Sequence, residues 1–486
     1  MSVSSAVAQT NVVRPMSLEE AIRLALQQNF DVQIEQYSTR IARFNYEVAE
    51  AAYYDPNFEL SAIHRNNTRP GGLNPATGEP FPATTSENTT VSAGIVGALP
   101  TGLTYNFGPS LTHSEGSSRG VAFDPFYEGQ VGISLRQPLL RNFLIDAGRR
   151  NILVSRKNIE ITEHALASQI MRVISQVEQT YYDLIFAREN INVQQKALEL
   201  AERLVAENRR RVEVGTLAPL EQTQSESQAA ERRADLISAQ GNYQVQQNAL
   251  KSLITDSYRE WHNVEISPTE TLLAIPEQFD VMESWRRGMA NRPDLAQLRA
   301  DLERRDVILR YQRNQVLPAL DLVGSYGRSG LGDDISDVAR DIRREDNPSY
   351  SVGAVLSVPL SRRGPRSAYN ATKAENEQAK LRLQAAEQTV MVQIDNAIKV
   401  ARTNLERVEA TRAARQYAEQ ALAAEERRLE AGRSTSFVVL QLQRDLTRAR
   451  SEEIRAIADY NKALSQIAFS EGSTLVNNNL GLSVRR

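Results

Sequence analysis

Arg211-Val-Glu-Val-Gly-Thr216 and Arg428-Leu-Glu-Ala-Gly-Arg433 decide the fold. They lie 217 residues apart, and the same offset pairs Tyr243 with Tyr460. Upstream, Val131-Gly-Ile-Ser-Leu-Arg-Gln-Pro-Leu139 matches Val352-Gly-Ala-Val-Leu-Ser-Val-Pro-Leu360 at an offset of 221. Further up, Pro56-Asn-Phe-Glu-Leu60 matches Pro318-Ala-Leu-Asp-Leu322 at 262. Matching features keep the same order, so the chain reads as a tandem duplication. The first copy carries 41 extra residues between Pro56 and Pro138.

Each copy reads as helix, strands, very long helix, short break, long helix. Ser17, with Glu20 three positions on, predicts a capping box opening a helix over 17–52. Residues 146–213 lack proline, and Gly148 is their only glycine. At about 1.5 Å per residue that is a helix of roughly 100 Å, matched by 367–430. Val177, Leu184, Ile191, Leu198, Val205 and Val212 recur every seventh residue, the seam of a left-handed supercoil. In the second copy the seam is Ile394, Ala401, Val408, Arg415, Leu422 and Leu429, which Arg415 breaks. The second seam position holds Ala187, Gln194, Ala201 and Asn208, small or polar residues that suit helices packed side by side with one face wet. Gly215 and Gly432 fit the left-handed position just past a helix end. Pro219, and Ser434 or Ser436, then fit the first turn of returning helices over 218–254 and 434–468.

Domain organisation follows. Residues 1–15 are a flexible N-terminus. Ala6-Val7-Ala8 there reads equally as the remnant of a signal-peptidase site or as an ordinary polar end. The first repeat covers 16–254, with strands within 57–138 and a hairpin over 146–254. Residues 255–290, with Pro268 and Pro276, form a linker of little regular structure. The second repeat covers 291–470, with strands within 319–359 and a hairpin over 367–468. Residues 471–486 are a tail.

Six short segments alternate apolar with small or polar residues: 57–65, 89–98, 102–112, 127–137, 319–327 and 349–358. Ten-residue alternation of this kind is the sequence mark of outer-membrane barrels. Leu99-Pro-Thr-Gly102 makes a tight turn, whereas 66–88 and 328–348 read as long loops. A soluble half-buried sheet would alternate too. Helices of roughly 100 Å cannot cover so small a sheet, however, and six strands cannot close a pore alone. Strands pooled from several copies would remove the open edges.

Composition excludes several alternatives. Cysteine is absent among 486 residues, so no disulfide, thiol catalysis, Cys-ligated zinc or acylated N-terminal cysteine is expected of this sequence. The net charge of −3 gives no footprint for nucleic acid. His64, His113, His164 and His262 lie far apart, and no apolar run approaches about 20 residues. No phosphate-binding loop, zincin motif or nucleophile elbow occurs, so no catalytic, cofactor or metal site is expected. Carboxylates such as Glu426 and Glu430, beside Arg427 and Arg428, read as surface pairs. Asp183 reads as facing a lumen.

The duplicated unit resembles the TolC-like outer membrane efflux proteins, the outer membrane factors. The match is carried by Ser17-Leu-Glu-Glu-Ala-Ile-Arg-Leu-Ala-Leu26 with Asn29, and by Gln137-Pro-Leu-Leu-Arg141. It continues in Val212-Glu-Val-Gly-Thr-Leu-Ala-Pro-Leu-Glu221, Leu429-Glu-Ala-Gly-Arg-Ser-Thr-Ser-Phe437 and Val439-Leu-Gln-Leu-Gln-Arg-Asp445. The fold class so implied is mainly α, with duplicated long-helix coiled-coil hairpins forming an α-barrel tunnel, plus strands given to a shared trimeric transmembrane β-barrel. The resemblance implies a homotrimer that serves as the exit duct of a tripartite efflux pump or type I secretion system. It sits in the bacterial outer membrane with its helical portion in the periplasm. Its partners are itself, a periplasmic adaptor, an inner-membrane transporter reached through the adaptor, and outer membrane lipid. Adaptor docking opens the gated tips. Those tips are Val214, Gly215, Thr216, Leu217, Ala218 and Pro219 in one hairpin, and Ala431, Gly432, Arg433, Ser434 and Thr435 in the other. The family often places an aspartate ring just after a tip; here those positions hold Val438 and Gln441, with Glu221 and Gln224 in the first copy. Four strands per chain are usual, giving a 12-stranded barrel. Six would give 18, and the unbroken apolar face from Leu103 to Leu111 favours the larger. A periplasmic or surface coiled-coil stalk is the alternative; it would keep the heptads without the alternating strands.

Overall fold

The computed structural model describes residues 12–118, 121–344 and 347–478; Ala6-Val7-Ala8 lies outside them. In chain order the elements are β1 (Val12–Met16), α1 (Leu18–Gln28), α2 (Phe30–Tyr54), β2 (Asn57–Arg69), β3 (Thr84–Ala98), β4 (Thr104–Ser118), β5 (Val121–Pro138), α3 (Ala147–Glu213) and α4 (Pro219–Ile254). Then come α5 (Tyr258–Trp261), β6 (Val264–Pro268), α6 (Val281–Asn291), α7 (Pro293–Gln315), β7 (Ala319–Gly332), α8 (Ile335–Arg344), β8 (Pro348–Ser357), α9 (Arg363–Glu430), α10 (Ser436–Glu471) and α11 (Thr474–Asn477). Two compact units emerge. One holds the described parts of 1–40, 161–299 and 382–486, the other 41–160 and 300–381.

Several elements differ from the sequence expectation. The opening helix is broken at Asn29, whose side-chain carbonyl accepts from the backbone N–H of Asp31 (2.9 Å) while its amide donates to the Leu253 carbonyl (3.0 Å). One side chain thereby starts α2 and ties it to α4. The capping box is half made. Ser17 Oγ accepts from Glu20 N–H (3.1 Å), but the Glu20 carboxylate turns to Arg14 (2.7 Å). The segment 255–290 is more regular than its prolines imply. It contains α6, capped by Asp280, and β6, which pairs in parallel with β1. The expected loops are also shorter. β2 runs on to Arg69 and β3 begins at Thr84, while 328–348 holds the end of β7 and the whole of α8.

In the helical unit the seam residues Val177 and Leu184 of α3 are fully buried, as are Ile394 and Ala401 of α9. Tyr181 anchors one core, donating to the Met16 carbonyl (2.8 Å) and to Glu270. Burial at these cores supplies roughly 25 cal/mol per Å² of apolar surface removed from water. Arg415 lies between Glu419 (2.9 Å) and Glu453, so the break in the seam is paired. Polar bonds join α3 to α10: Asp183 to Lys462 (2.8 Å) and Asn190 to Ser451 (2.9 Å). Asp183 is therefore half-exposed and paired.

In the other unit six strands form one antiparallel sheet in the order β2-β3-β4-β5-β7-β8, leaving β2 and β8 at its edges. The β3–β4 hairpin is thus part of the same sheet as β2, β5, β7 and β8. Register fixes two faces. Phe58, Ile95, Phe107, Ile133, Tyr326 and Tyr350 share one face. The other holds hydroxyl pairs, Ser61 with Ser92 (2.7 Å), Thr90 with Thr112 (3.0 Å) and Ser325 with Ser351 (2.8 Å). Arg136 donates to Asp321 (2.9 Å) on that polar face. Buried Arg149 ties the Leu99–Gly102 turn to α3 through the Pro100 and Asn142 carbonyls (both 2.7 Å) and Asp146.

Candidate functional site: the paired helix tips and the two-faced sheet

The two tips have the same backbone. Thr216 N–H donates to the Arg211 carbonyl (2.8 Å) and Gly215 N–H to Val212 (3.0 Å). In the second hairpin Arg433 N–H reaches Arg428 (2.8 Å) and Gly432 N–H reaches Leu429 (3.0 Å). This is the Schellman closure, which needs a left-handed residue. Gly215 and Gly432 supply it at φ +74° and +70°. Thr216 Oγ1 also donates to the Arg211 carbonyl (3.0 Å). Returning helices start differently: Ala218 precedes Pro219, and Thr435 precedes Ser436, with no side-chain cap at either.

Both tips present small surfaces. Val214, Gly215, Thr216, Ala218 and Pro219 are exposed, Leu217 less so. Ala431, Gly432, Arg433 and Thr435 are exposed, whereas Ser434 is turned in to Glu425. Behind them, Leu204 packs with Leu422, Leu429, Val439 and Leu440 in one small apolar core shared by the two hairpins. A polar seat adjoins it. Ser436 Oγ donates to Asn208 Oδ1 (3.1 Å), both buried, and among the described residues Asn208 Nδ2 has no partner. The seam position of Asn208 could have flagged this polar spot; its partner, 228 residues away, could not be inferred.

The four expected constriction residues are distributed along the returning helices. Gln224, Val438 and Gln441 are exposed, while Glu221 is half-buried with one carboxylate oxygen lacking a partner. Glu426 is not the simple surface pair expected. Partial burial, then the like charges of Glu430 and Glu207, push its carboxyl above the usual range.

The sheet is a separate candidate surface. Away from α8, which covers Gly129 and Gly330, its apolar face is open: Phe58 and Leu60 are over two-thirds exposed, and Tyr350 and Val352 are 80% exposed. Contiguous exposed apolar area on this scale marks contact with lipid or protein. Helix α2 adds an exposed stripe at heptad spacing, Phe30, Ile34, Tyr37, Ile41, Phe44 and Val48. Among the described residues no helix is long and apolar enough to cross a membrane, and no group of three or more metal-ligating side chains occurs.

Known proteins share this architecture. The CmeC outer membrane channel of Campylobacter jejuni superposes with a TM-score of 0.67 at 18% identity, over 94% of this chain and 86% of that one. The outer membrane protein VceC of Vibrio cholerae gives 0.68 at 16%, over 94% and 96%. In sequence, the cobalt-zinc-cadmium resistance protein CzcC of Cupriavidus metallidurans is 24% identical over 329 residues, spanning 66% of this chain and 73% of its own. The pattern describing outer membrane efflux proteins matches residues 102–255 and 287–473.

Proposed function

The chain belongs to the outer membrane efflux protein family, and on that premise we propose that three copies pool their sheets into one 18-stranded barrel continued by a helical tunnel. It is an efflux channel protein of the bacterial outer membrane. The carrying observation is the single sheet with one greasy and one hydroxyl-lined face, in the same chain as two identically closed hairpins. The greasy face suits lipid and the polar face a water-filled lumen. Rolling the sheet with two further copies pairs edge β2 with edge β8 of a neighbour, satisfying backbone groups that lipid cannot. The heptad stripe of α2 supports a second copy beside it.

The duct acts as a passive conduit of a tripartite efflux pump or type I secretion system. A periplasmic adaptor docks on the tips, at Val214–Pro219 and Ala431–Thr435, and links them to an inner-membrane transporter. Docking separates the hairpins at the Asn208–Ser436 seat, where a polar contact costs less to break than a packed apolar one. Glu221 and Gln441 form polar rings at the constriction, with Gln224 beside them and Val438 as an apolar collar. CzcC's name concerns cobalt, zinc and cadmium resistance. A metal cargo would pass here as a hydrated ion, and cargo choice belongs to the transporter.

The test is fractionation followed by bilayer recording. The protein should require detergent, migrate as a heat-sensitive oligomer and form discrete channels whose opening increases with adaptor. A detergent-free, non-conducting single chain would sink the proposal.

A further inference from the structure

α8 lies on the apolar face of the sheet, the one proposed to face lipid. Glycines clear its seat. A Cβ on Gly129 would stand 2.4 Å from Val338 Cγ1, and one on Gly330 2.5 Å from the Val338 carbonyl oxygen. Val338 is accordingly buried. Ile335, Val338, Ala339 and Ile342 recur at spacing i, i+3, i+4 and i+7, the apolar stripe of an amphipathic helix, with Val338 buried and Ile335 at the exposed end.

The height of this seat is defined. Across the sheet Ala62, Val91, Leu111, Gly129 and Gly330 form one row. The next row of the same face is His64, Thr89, His113 and Tyr127, with His64 bonded to Thr89 (3.0 Å). The row beneath α8 is therefore the last apolar one. In a membrane barrel that change of character marks the edge of the hydrocarbon. An amphipathic helix at such a level has the make-up of one lying in the interface plane.

Its charges are sorted along its length. Asp334 Oδ1 accepts from the backbone N–H groups of Ser336 (2.7 Å) and Asp337 (3.0 Å), and Asp337 pairs with Arg340 (2.6 Å). Asp341 is half-buried over Gly330. Arg343 and Arg344 are exposed at the other end, and Arg328 stands on the same face of β7. Between α8 and β3–β4 runs an apolar cleft of about 270 Å³, lined by Val91, Ala93, Pro109, Leu111, Ile335 and Ile342. Two exposed arginines in the last turn of a helix whose other side chains wall a greasy cleft suit an amphiphile with a phosphorylated head.

We infer that α8 is an in-plane helix that binds an outer-leaflet glycolipid, with Arg343 and Arg344 on its phosphates and an acyl segment in the cleft. This rests on the proposed barrel. The test uses the full-length oligomer in non-ionic detergent, with native mass spectrometry counting bound diphosphoryl lipid A, its dephosphorylated form, and lipid A in competition with inorganic phosphate. The native protein should prefer the diphosphoryl form, and Arg343→Gln with Arg344→Gln should weaken its binding about tenfold. Inorganic phosphate should not compete. Val338→Asp, which lifts the helix, should also lose the lipid. Equal binding by native and arginine-substituted protein would overturn the inference. So would indifference to dephosphorylation, or displacement by phosphate alone, which would mean a bare anion site. If Val338→Asp fails to assemble, the exposed arginine pair still decides. The arginine variant should keep native bilayer conductance, so lost lipid affinity with intact conductance reports on α8 alone. A native protein that forms no channels would instead count against the barrel.

Discussion

Each tip depends on one residue with no side chain. A methyl group on Gly432 meets nothing within 4 Å, so any cost of Gly432→Ala is conformational. Holding a non-glycine residue left-handed costs about 1–2 kcal/mol. Hydrogen exchange over 428–436 should accelerate accordingly, with the thermal midpoint of the whole oligomer little changed. Deeper in the hairpin, Glu178 takes hydrogen bonds from Ser465 and from Asn478 (3.4 Å). Burial nevertheless wins and pushes its carboxyl above the usual range, against the pull of those two donors. The folded protein thus favours the protonated acid. Its contribution is fully present below the ordinary carboxyl value and is lost as pH rises through the elevated folded one. Glu178→Gln should therefore raise the thermal midpoint at pH 7–8, with the advantage vanishing near pH 4. The tip glycines were legible because a left-handed demand is local to the sequence. The surroundings of Glu178 were not, because both donors come from the far end of the chain.

At the scale of elements, the seven-residue spacing announced the long helices, and packing kept the spacing honest: Leu422 and Leu429 are buried on either side of the tip core. The seam's one arginine was readable as a break but not as a bridge, since Glu453 lies on another helix. The Asn208–Ser436 seat suggests a direct trial of opening. Replacing both, Asn208→Leu with Ser436→Ala, removes a buried amide whose Nδ2 lacks a partner among the described residues, together with the hydroxyl that bonds its Oδ1. Stability should rise by about 1 kcal/mol. Adaptor-stimulated conductance should fall, because the apolar seat resists separation; unchanged stimulation would mean the hairpins part elsewhere. The helix α8 was hidden within a stretch whose aspartates, glycines and arginines read as loop. Its spacing of four apolar residues was present, but over ten residues such a pattern is too short to stand out without the sheet beneath it. Parallel pairing of β1 with β6 was equally out of reach, because its partners are some 250 residues apart and share no turn.

For the molecule as a whole, the alternating segments foretold the strands of the sheet, and the insertion left one question of breadth. The β3–β4 hairpin stands between β2 and β5, so removing 84–118 leaves β2 antiparallel to β5 and able to pair with it. The shortened protein should still assemble, with a barrel of fewer strands and a lower unitary conductance. Equal conductance would show that the wall is not the narrow part. Glu221→Gln addresses the proposed constriction: it should reduce cation preference in asymmetric salt while leaving assembly intact, and an unaltered reversal potential would place the selective ring elsewhere.

The sheet ends in two bare borders, β2 and β8. Each is paired on one side alone, β2 with β3 and β8 with β7, and no described strand of the same chain pairs with the other side, so a solitary polypeptide would be poorly suited to bathe those borders in oil. Insertion and association should then be a single concerted event, and faulty copies should be infectious. A chain with prolines along β8 would be recruited by healthy siblings and spoil every ring it joins. In cells expressing both forms, export should fall far below the defective chain's share of the mixture.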